Sequence, residues 1–79
     1  MQFLNAGFGN YVAISRVLTV VTPESAPIKR YINKLREEDK LIDLTLGKAT
    51  RSLILLDSGQ GVLASVHPDT IIGRVEKIR

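Results

Sequence analysis

The segment Ser52–Leu56 constrains the fold most, because four consecutive aliphatic residues follow the serine and leave the segment without a polar face. A β-strand of this composition has to be covered on both sides. Next comes Asp57–Gly61, with the sequence Asp-Ser-Gly-Gln-Gly typical of hairpin turns, and then a second apolar segment, Val62–Val66. The pattern predicts a β-hairpin that other layers of the protein cover.

The N-terminal region also indicates short strands. Phe3 and Leu4 begin the first, the glycine-rich sequence of residues 7–10 supplies a turn, and Tyr11–Ile14 forms the second. The segment Val17–Val21 does not alternate between apolar and polar residues, which predicts a third strand with both faces covered.

A helix is predicted after this third strand. Ser25 is a suitable N-cap. Pro27 falls in the first turn, where a residue without a backbone N–H costs the helix no hydrogen bond. Three acidic residues, 37–39, lie unfavourably near the negative end of the helix dipole and predict fraying or a stop there. The apolar stripe of this helix consists of Ile28, Tyr31, Ile32 and Leu35.

The remaining elements complete an α+β prediction. Leu41–Leu44 reads as a short strand, residues 47–50 as a polar, basic loop, and Pro68 as the start of a C-terminal helix. Gly73 weakens that helix by about 1 kcal/mol relative to alanine, so we expect it to depend on docking. We predict one domain over residues 1–79, with a small, mainly antiparallel sheet, one central amphipathic helix and a C-terminal helix. The apolar face of the latter contains Ile71, Ile72, Val75 and Ile78.

Composition favours self-association. The chain has 79 residues, 44% of them hydrophobic, and no cysteine that could form a disulfide. A domain of this size buries only about 60–65% of its unfolded surface, so copies of the chain are the expected cover for the excess apolar residues. Neither a membrane-spanning segment nor a signal peptide is recognisable, and we expect a cytoplasmic protein without a membrane partner.

Catalytic and cofactor motifs are weak. The single histidine, His67, stands where the C-terminal helix begins, and a zinc site needs three or four clustered ligands. Gly47-Lys48 resembles the end of a phosphate-binding loop, but Ala49 replaces the required serine or threonine. We therefore predict no enzyme, no cofactor, no metal and no small-molecule substrate. An enzyme with sites between subunits is the least supported alternative.

Basic residues carry the remaining functional signal. Arg16 lies between two apolar strands, and Lys48 and Arg51 bracket a small loop before the strongest strand. Cations in these places suit phosphate binding, and hydroxyl groups nearby can donate to phosphate oxygens as well. Ordinary solvated surface charges are the alternative, and the formal net charge of +3 decides little for a monomer. The neighbouring hydroxyls belong to Ser15, Thr50 and Ser52.

Several segments resemble the RemA family of extracellular matrix regulators. The order and spacing agree from about residue 3 to residue 70, and the stretch from Pro23 to Arg30 is long enough to be specific. The matching segments are Asn5–Asn10, Thr22–Arg30, Leu41–Asp43, Thr45–Gly47, Thr50–Arg51 and Ser65–Thr70.

The resemblance implies a transcriptional regulator of biofilm matrix genes, built as a closed ring of identical subunits that binds DNA. Arg16 matches an arginine through which family members are thought to contact DNA. Lys48 and Ala49 stand where the family has a pair of adjacent arginines, so one charge is kept as lysine and the other is missing. Arg51 follows this pair, as in the family.

We accordingly predict a homo-oligomeric, ring-shaped regulator whose Arg16, Lys48 and Arg51 contact the backbone of double-stranded DNA. Without the second arginine, recognition of backbone and DNA shape is favoured over reading of base edges. The alternative is a ring-forming scaffold or protein-interaction module without DNA binding, which the alanine at position 49 favours.

Overall fold

A computed structural model describes residues 2–78 and confirms the α+β class. A short 3-10 turn, Ile14–Arg16, separates the second and third strands. The regular elements are β1 (Phe3–Gly7), β2 (Asn10–Ala13), β3 (Val17–Val21), α1 (Ala26–Glu37), β4 (Leu41–Asp43), β5 (Ser52–Leu56), β6 (Gly61–Ala64) and α2 (Pro68–Ile78).

The described strands form two sheets. β1 and β2 pair as an antiparallel hairpin, and the other sheet has the order β3-β5-β6-β4. Its β3–β5 and β5–β6 pairs are antiparallel, whereas β4 runs parallel to β6. The sheet is therefore mixed. After β3 the chain crosses through α1 to the opposite edge of the sheet, where β4 pairs in parallel with β6.

Both faces of the four-stranded sheet are covered, as the sequence of β5 predicts. On one face, Leu53 and Leu63 pack with Ile32 of α1. On the other face, Ile54 and its neighbours pack against the β1–β2 hairpin and α2. Leu53 and Ile54 are both 0% exposed, so adjacent residues of β5 are buried in two different layers.

The predicted boundaries of α1 are confirmed. Ser25 Oγ accepts a hydrogen bond from the Ile28 backbone N–H at 3.4 Å, and proline occupies the first turn. The helix ends at Glu37, and Asp39 adopts a φ of 59°, which lets the Lys40 N–H donate to the Leu35 carbonyl oxygen. This left-handed residue closes the helix in the manner of a C-terminal cap.

Two predictions about burial were only partly right. Val20 and Val21 of β3 pack against opposite core layers, but β3 is an edge strand and its Leu18 side chain is 70% exposed. A register shift between Val17 and Thr19 removes Leu18 from the regular pairing and turns it outward. In α2, Ile71 is buried but Ile72 is exposed, so the two do not share the docked face. The predicted contribution of Ile78 lies outside the side chains that the structure describes.

Within residues 2–78, no helix combines the length and apolar character needed to cross a membrane.

Candidate nucleic-acid interface

Arg16 is the last residue of the 3-10 turn and stands immediately before β3. Two contacts tie it to Asp57, the residue after β5. The Asp57 backbone N–H donates to the Arg16 carbonyl oxygen at 2.8 Å, and Arg16 Nη1 donates to Asp57 Oδ2 at 3.3 Å. The Arg16 side chain is 65% exposed, so most of its donors still face solvent.

A shallow cavity of about 360 Å³ adjoins this ion pair. The β5–β6 turn supplies most of its wall, and the guanidinium of Arg16 supplies its positive group. Ser58 Oγ donates to Gln60 Oε1 at 3.1 Å, which keeps the turn compact. An anionic group that enters this cavity approaches Arg16 beside the Asp57 carboxylate.

Lys48 and Arg51 lie on the loop between β4 and β5, and both are exposed. The backbone fixes this loop at two points: the Lys48 N–H donates to the Thr45 carbonyl oxygen at 2.9 Å, and the Arg51 N–H donates to the Ala64 carbonyl oxygen at 2.8 Å. Among the described residues, no carboxylate forms a salt bridge with either cation. The loop therefore presents two uncompensated positive charges on a fixed backbone.

A polar turn anchors the start of this loop. Asp43 Oδ1 accepts hydrogen bonds from Thr45 Oγ1 at 2.6 Å and from the Thr45 N–H at 2.9 Å. These two bonds lower the pKa of the Asp43 carboxyl below its ordinary value, with a smaller lowering from the charge of Arg36, against the raising effect of desolvation. Ser65 Oγ adds a bond to the Thr45 carbonyl oxygen at 3.3 Å.

The structure does not bring the three predicted DNA contacts together in one protomer. Arg16 lies next to Asp57 at one end of β5, whereas Arg51 precedes the other end. Positions 51 and 57 are six steps apart along the chain, and an extended chain rises ~3.3 Å per step, which gives a separation of roughly 20 Å. Lys48 and Arg51 form one basic patch, and Arg16 forms a second.

The three hydroxyls predicted to assist phosphate binding have different environments. Ser15 is exposed and Thr50 is half-buried. Ser52 is fully buried and its Oγ has no hydrogen-bond partner, so the prediction that it donates to phosphate was wrong. Side chains alternate along a strand, so Ser52 lies on the same face of β5 as Ile54, the face that packs against the β1–β2 hairpin and α2.

Other chemistry receives no support from the arrangement of the described residues. They contain no group of three or more His, Cys, Asp or Glu side chains that could hold a metal ion. His67 is exposed at the start of α2. Asp43 and Asp57 lie towards opposite ends of the sheet, since Asp43 pairs with Leu63 and Asp57 follows the far end of β5.

Asp57 is the residue at this interface that sequence reasoning missed as a partner of Arg16. The two are 41 positions apart, and only the pairing of β3 with β5 brings them into contact. An aspartate at the first position of a hairpin turn was the available signal, but turn preference alone explains an aspartate there.

Comparison with known proteins supplies a family. Residues 3–75 match the model of the RemA-like family, described as extracellular matrix regulatory protein A-like. A protein of Dictyoglomus turgidum is 46% identical over 76 residues, which cover 96% of this chain and 89% of the relative. One from Geobacillus kaustophilus is 48% identical over 75 residues, 95% of this chain and 86% of the relative. One from Synechococcus elongatus is 46% identical over 72 residues, which cover 91% of this chain and 83% of the relative. Each of the three carries a provisional name as a regulatory protein.

Proposed function

This chain belongs to the RemA-like family, and from that premise we propose that it is a regulatory protein that binds double-stranded DNA as a homo-oligomer. The observation that carries the proposal is the basic loop, where Lys48 and Arg51 are exposed without a carboxylate partner among the described residues. Arg16 adds a second cationic point at the other end of β5. The names of the relatives support a regulatory role for this chain too.

Charge repetition explains how so small a domain binds DNA. One protomer carries a formal charge of +3 and two basic patches roughly 20 Å apart, the rise of six extended residues. Each phosphate contact is weak by itself and sensitive to salt. An oligomer repeats both patches in every subunit, so its contacts along one duplex reinforce each other through high effective concentration.

Exposed apolar side chains support the oligomer. All four aromatic residues of the chain are exposed, and three of them lie on or next to the strands of the β1–β2 hairpin. An isolated subunit of this size would leave a large fraction of its apolar surface in water, which contact between copies removes. We propose that these copies close into a ring. Among the side chains that the structure describes, the exposed large apolar residues are Phe3, Phe8, Tyr11, Leu18, Tyr31, Ile42, Leu46 and Ile72.

The contacts favour DNA backbone and shape over base sequence. Lys48 is a point charge without the two-pronged donor geometry of arginine. Position 49 holds an alanine, so it lacks the arginine side chain that could have hydrogen-bonded to guanine. We propose that the protein acts on DNA in the cytoplasm, and that genes for extracellular matrix are its targets, as the family description suggests.

Titration of a fluorescent duplex at low and near-physiological salt, with the size of the complex measured in parallel, tests this function. We expect tight binding by an oligomer and a steep loss of affinity with salt. Lys48→Ala, Arg51→Ala and Arg16→Ala should each weaken binding and reduce the salt slope by about 0.9 per lost phosphate contact, with the oligomer intact. Lys29→Ala, which removes an exposed cation from α1, is the matched control.

A ring-forming scaffold without DNA binding is the second candidate. Ala49 favours it, and so does the ion pair that partly neutralises Arg16. A stable oligomer that does not bind duplex DNA even at low salt would establish this alternative. Equal weakening by Lys29→Ala and Lys48→Ala would show that only total charge matters.

A further inference from the structure

We infer that Asp57 limits the affinity of this protein for DNA by competing with phosphate for the guanidinium of Arg16. The inference rests on the proposed function and assigns a role to a residue outside the three cationic contacts. The Asp57 carboxylate lies 3.3 Å from Arg16 Nη1, and both residues line the same open cavity.

The ion pair is of a kind that phosphate can displace. It is a single contact between side chains that are 65% and 38% exposed, so water and salt weaken it. A guanidinium has five donors and binds phosphate with two parallel hydrogen bonds, whereas Asp57 engages it at one nitrogen. Phosphate therefore has a geometric advantage at Arg16, but it has to approach a fixed negative charge.

The Asp57 side chain is separable from the structure of the turn. The contact that holds the start of β3 to the end of β5 is the Asp57 backbone N–H to the Arg16 carbonyl oxygen, at 2.8 Å. An asparagine retains this N–H and is equally suited to a hairpin turn. Asp57→Asn should therefore remove the negative charge and free the Arg16 guanidinium without moving the Arg16 backbone.

Asp57 and Arg16 therefore have opposite effects on the affinity of the protein for duplex DNA. Asp57→Asn should tighten duplex binding by about two- to five-fold per engaged protomer, the range that exposed ion pairs span. The same substitution in the Arg16→Ala background should leave affinity unchanged, because no guanidinium remains for the carboxylate to occupy.

The experiment titrates one fluorescent duplex with the wild-type oligomer, Asp57→Asn, Arg16→Ala and the double variant at several salt concentrations. Glu37→Gln is the control, since it removes one negative charge from the exposed face of α1, where no described cation pairs with it. We expect tighter binding for Asp57→Asn alone, with Glu37→Gln equal to wild type and the oligomer size constant.

Each other outcome overturns a specific step. If Arg16→Ala weakens binding, weaker binding by Asp57→Asn would mean that Asp57 orients Arg16, and unchanged binding would mean that its carboxylate does not compete with phosphate. Tightening that persists in the double variant, or that Glu37→Gln reproduces, would reduce the effect to net charge. If wild type fails to bind duplex DNA at low salt, the proposed function fails and this inference fails with it.

Discussion

Gly61 on β6 lies directly beneath Leu35 of α1: a Cβ atom at position 61 would stand 2.6 Å from Leu35 Cδ1 and 3.1 Å from Leu53 Cδ1. Leu35 is only 2% exposed and Leu53 is 0% exposed, so neither side chain has solvent into which it can move. The glycine therefore sets how closely α1 approaches the sheet at this point.

Gly61→Ala should destabilise the protein by about 1–2 kcal/mol. The added methyl overpacks the α1 layer at a cost of about 1–3 kcal/mol, offset partly by the ~0.4–1 kcal/mol that alanine contributes by restricting the unfolded chain. Urea unfolding at fixed protein concentration measures the difference. Unchanged stability would show that α1 shifts away from β6 without loss of packing.

Gly73→Ala should have the opposite effect and serves as a matched comparison. Gly73 lies within α2, and a Cβ atom there would meet no heavy atom within 4 Å beyond its chain neighbours and the adjacent helix backbone. Alanine is favoured over glycine inside a helix by about 1 kcal/mol, so the variant should unfold at higher urea. A loss of stability here would indicate that the open space above Gly73 is filled in the oligomer, and a smaller complex in light scattering would identify that cause.

Ser52→Ala should leave stability unchanged or raise it by up to about 1 kcal/mol. Its hydroxyl is fully buried and has no hydrogen-bond partner, so its removal relieves the cost of desolvating a polar group. Duplex binding should not change, because the side chain does not reach the surface. Thermal unfolding tests the first expectation, and a DNA titration of the same variant tests the second. A marked loss of stability would mean that the hydroxyl makes a compensating contact.

Asp43→Asn should make the free energy of unfolding less dependent on pH in the acid range. Hydrogen bonds from Thr45 lower the pKa of Asp43, so the folded protein binds fewer protons at this site than the unfolded chain does. The stabilisation is therefore fully present above the ordinary aspartate value of 3.8 and is lost as the pH falls through the lower folded value. Unfolding at pH 7 and near pH 3 should show a larger difference for wild type than for the variant. Glu24→Gln, at an exposed carboxylate without a described ion pair, should keep the wild-type difference.

Local chemistry made part of this molecule predictable. The cap at Ser25 and the stop after Glu37 depend on neighbours a few positions away, and the β5–β6 hairpin closes through its own turn. The edge position of β3 and the parallel pairing of β4 with β6 depend on where α1 carries the chain, which no local pattern encodes.

The candidate site divides in the same way. The exposure of Lys48 and Arg51 follows from a polar loop between strands, and the sequence predicted it. Their separation from Arg16 and the ion pair of Arg16 with Asp57 follow from the register of β3 on β5. The role of Ser52 was predicted wrongly although β5 was predicted to be covered on both faces, because a serine on such a strand is buried whichever face it lies on.

Ala49→Arg should strengthen DNA binding and steepen its salt dependence. Ala49 is exposed between Lys48 and Arg51, on a loop whose backbone is fixed by hydrogen bonds at Lys48 and Arg51. A guanidinium there adds a bidentate phosphate donor to an existing patch, and each additional contact should increase the salt slope by about 0.9. Asn33→Arg, which adds the same charge on the exposed face of α1, is the control, and the measurement is duplex affinity across a salt series. If both variants gain equally, the basic loop is not where the duplex lies. A gain confined to Ala49→Arg would assign the loop to the interface, since only a contact at that position distinguishes two proteins of identical charge.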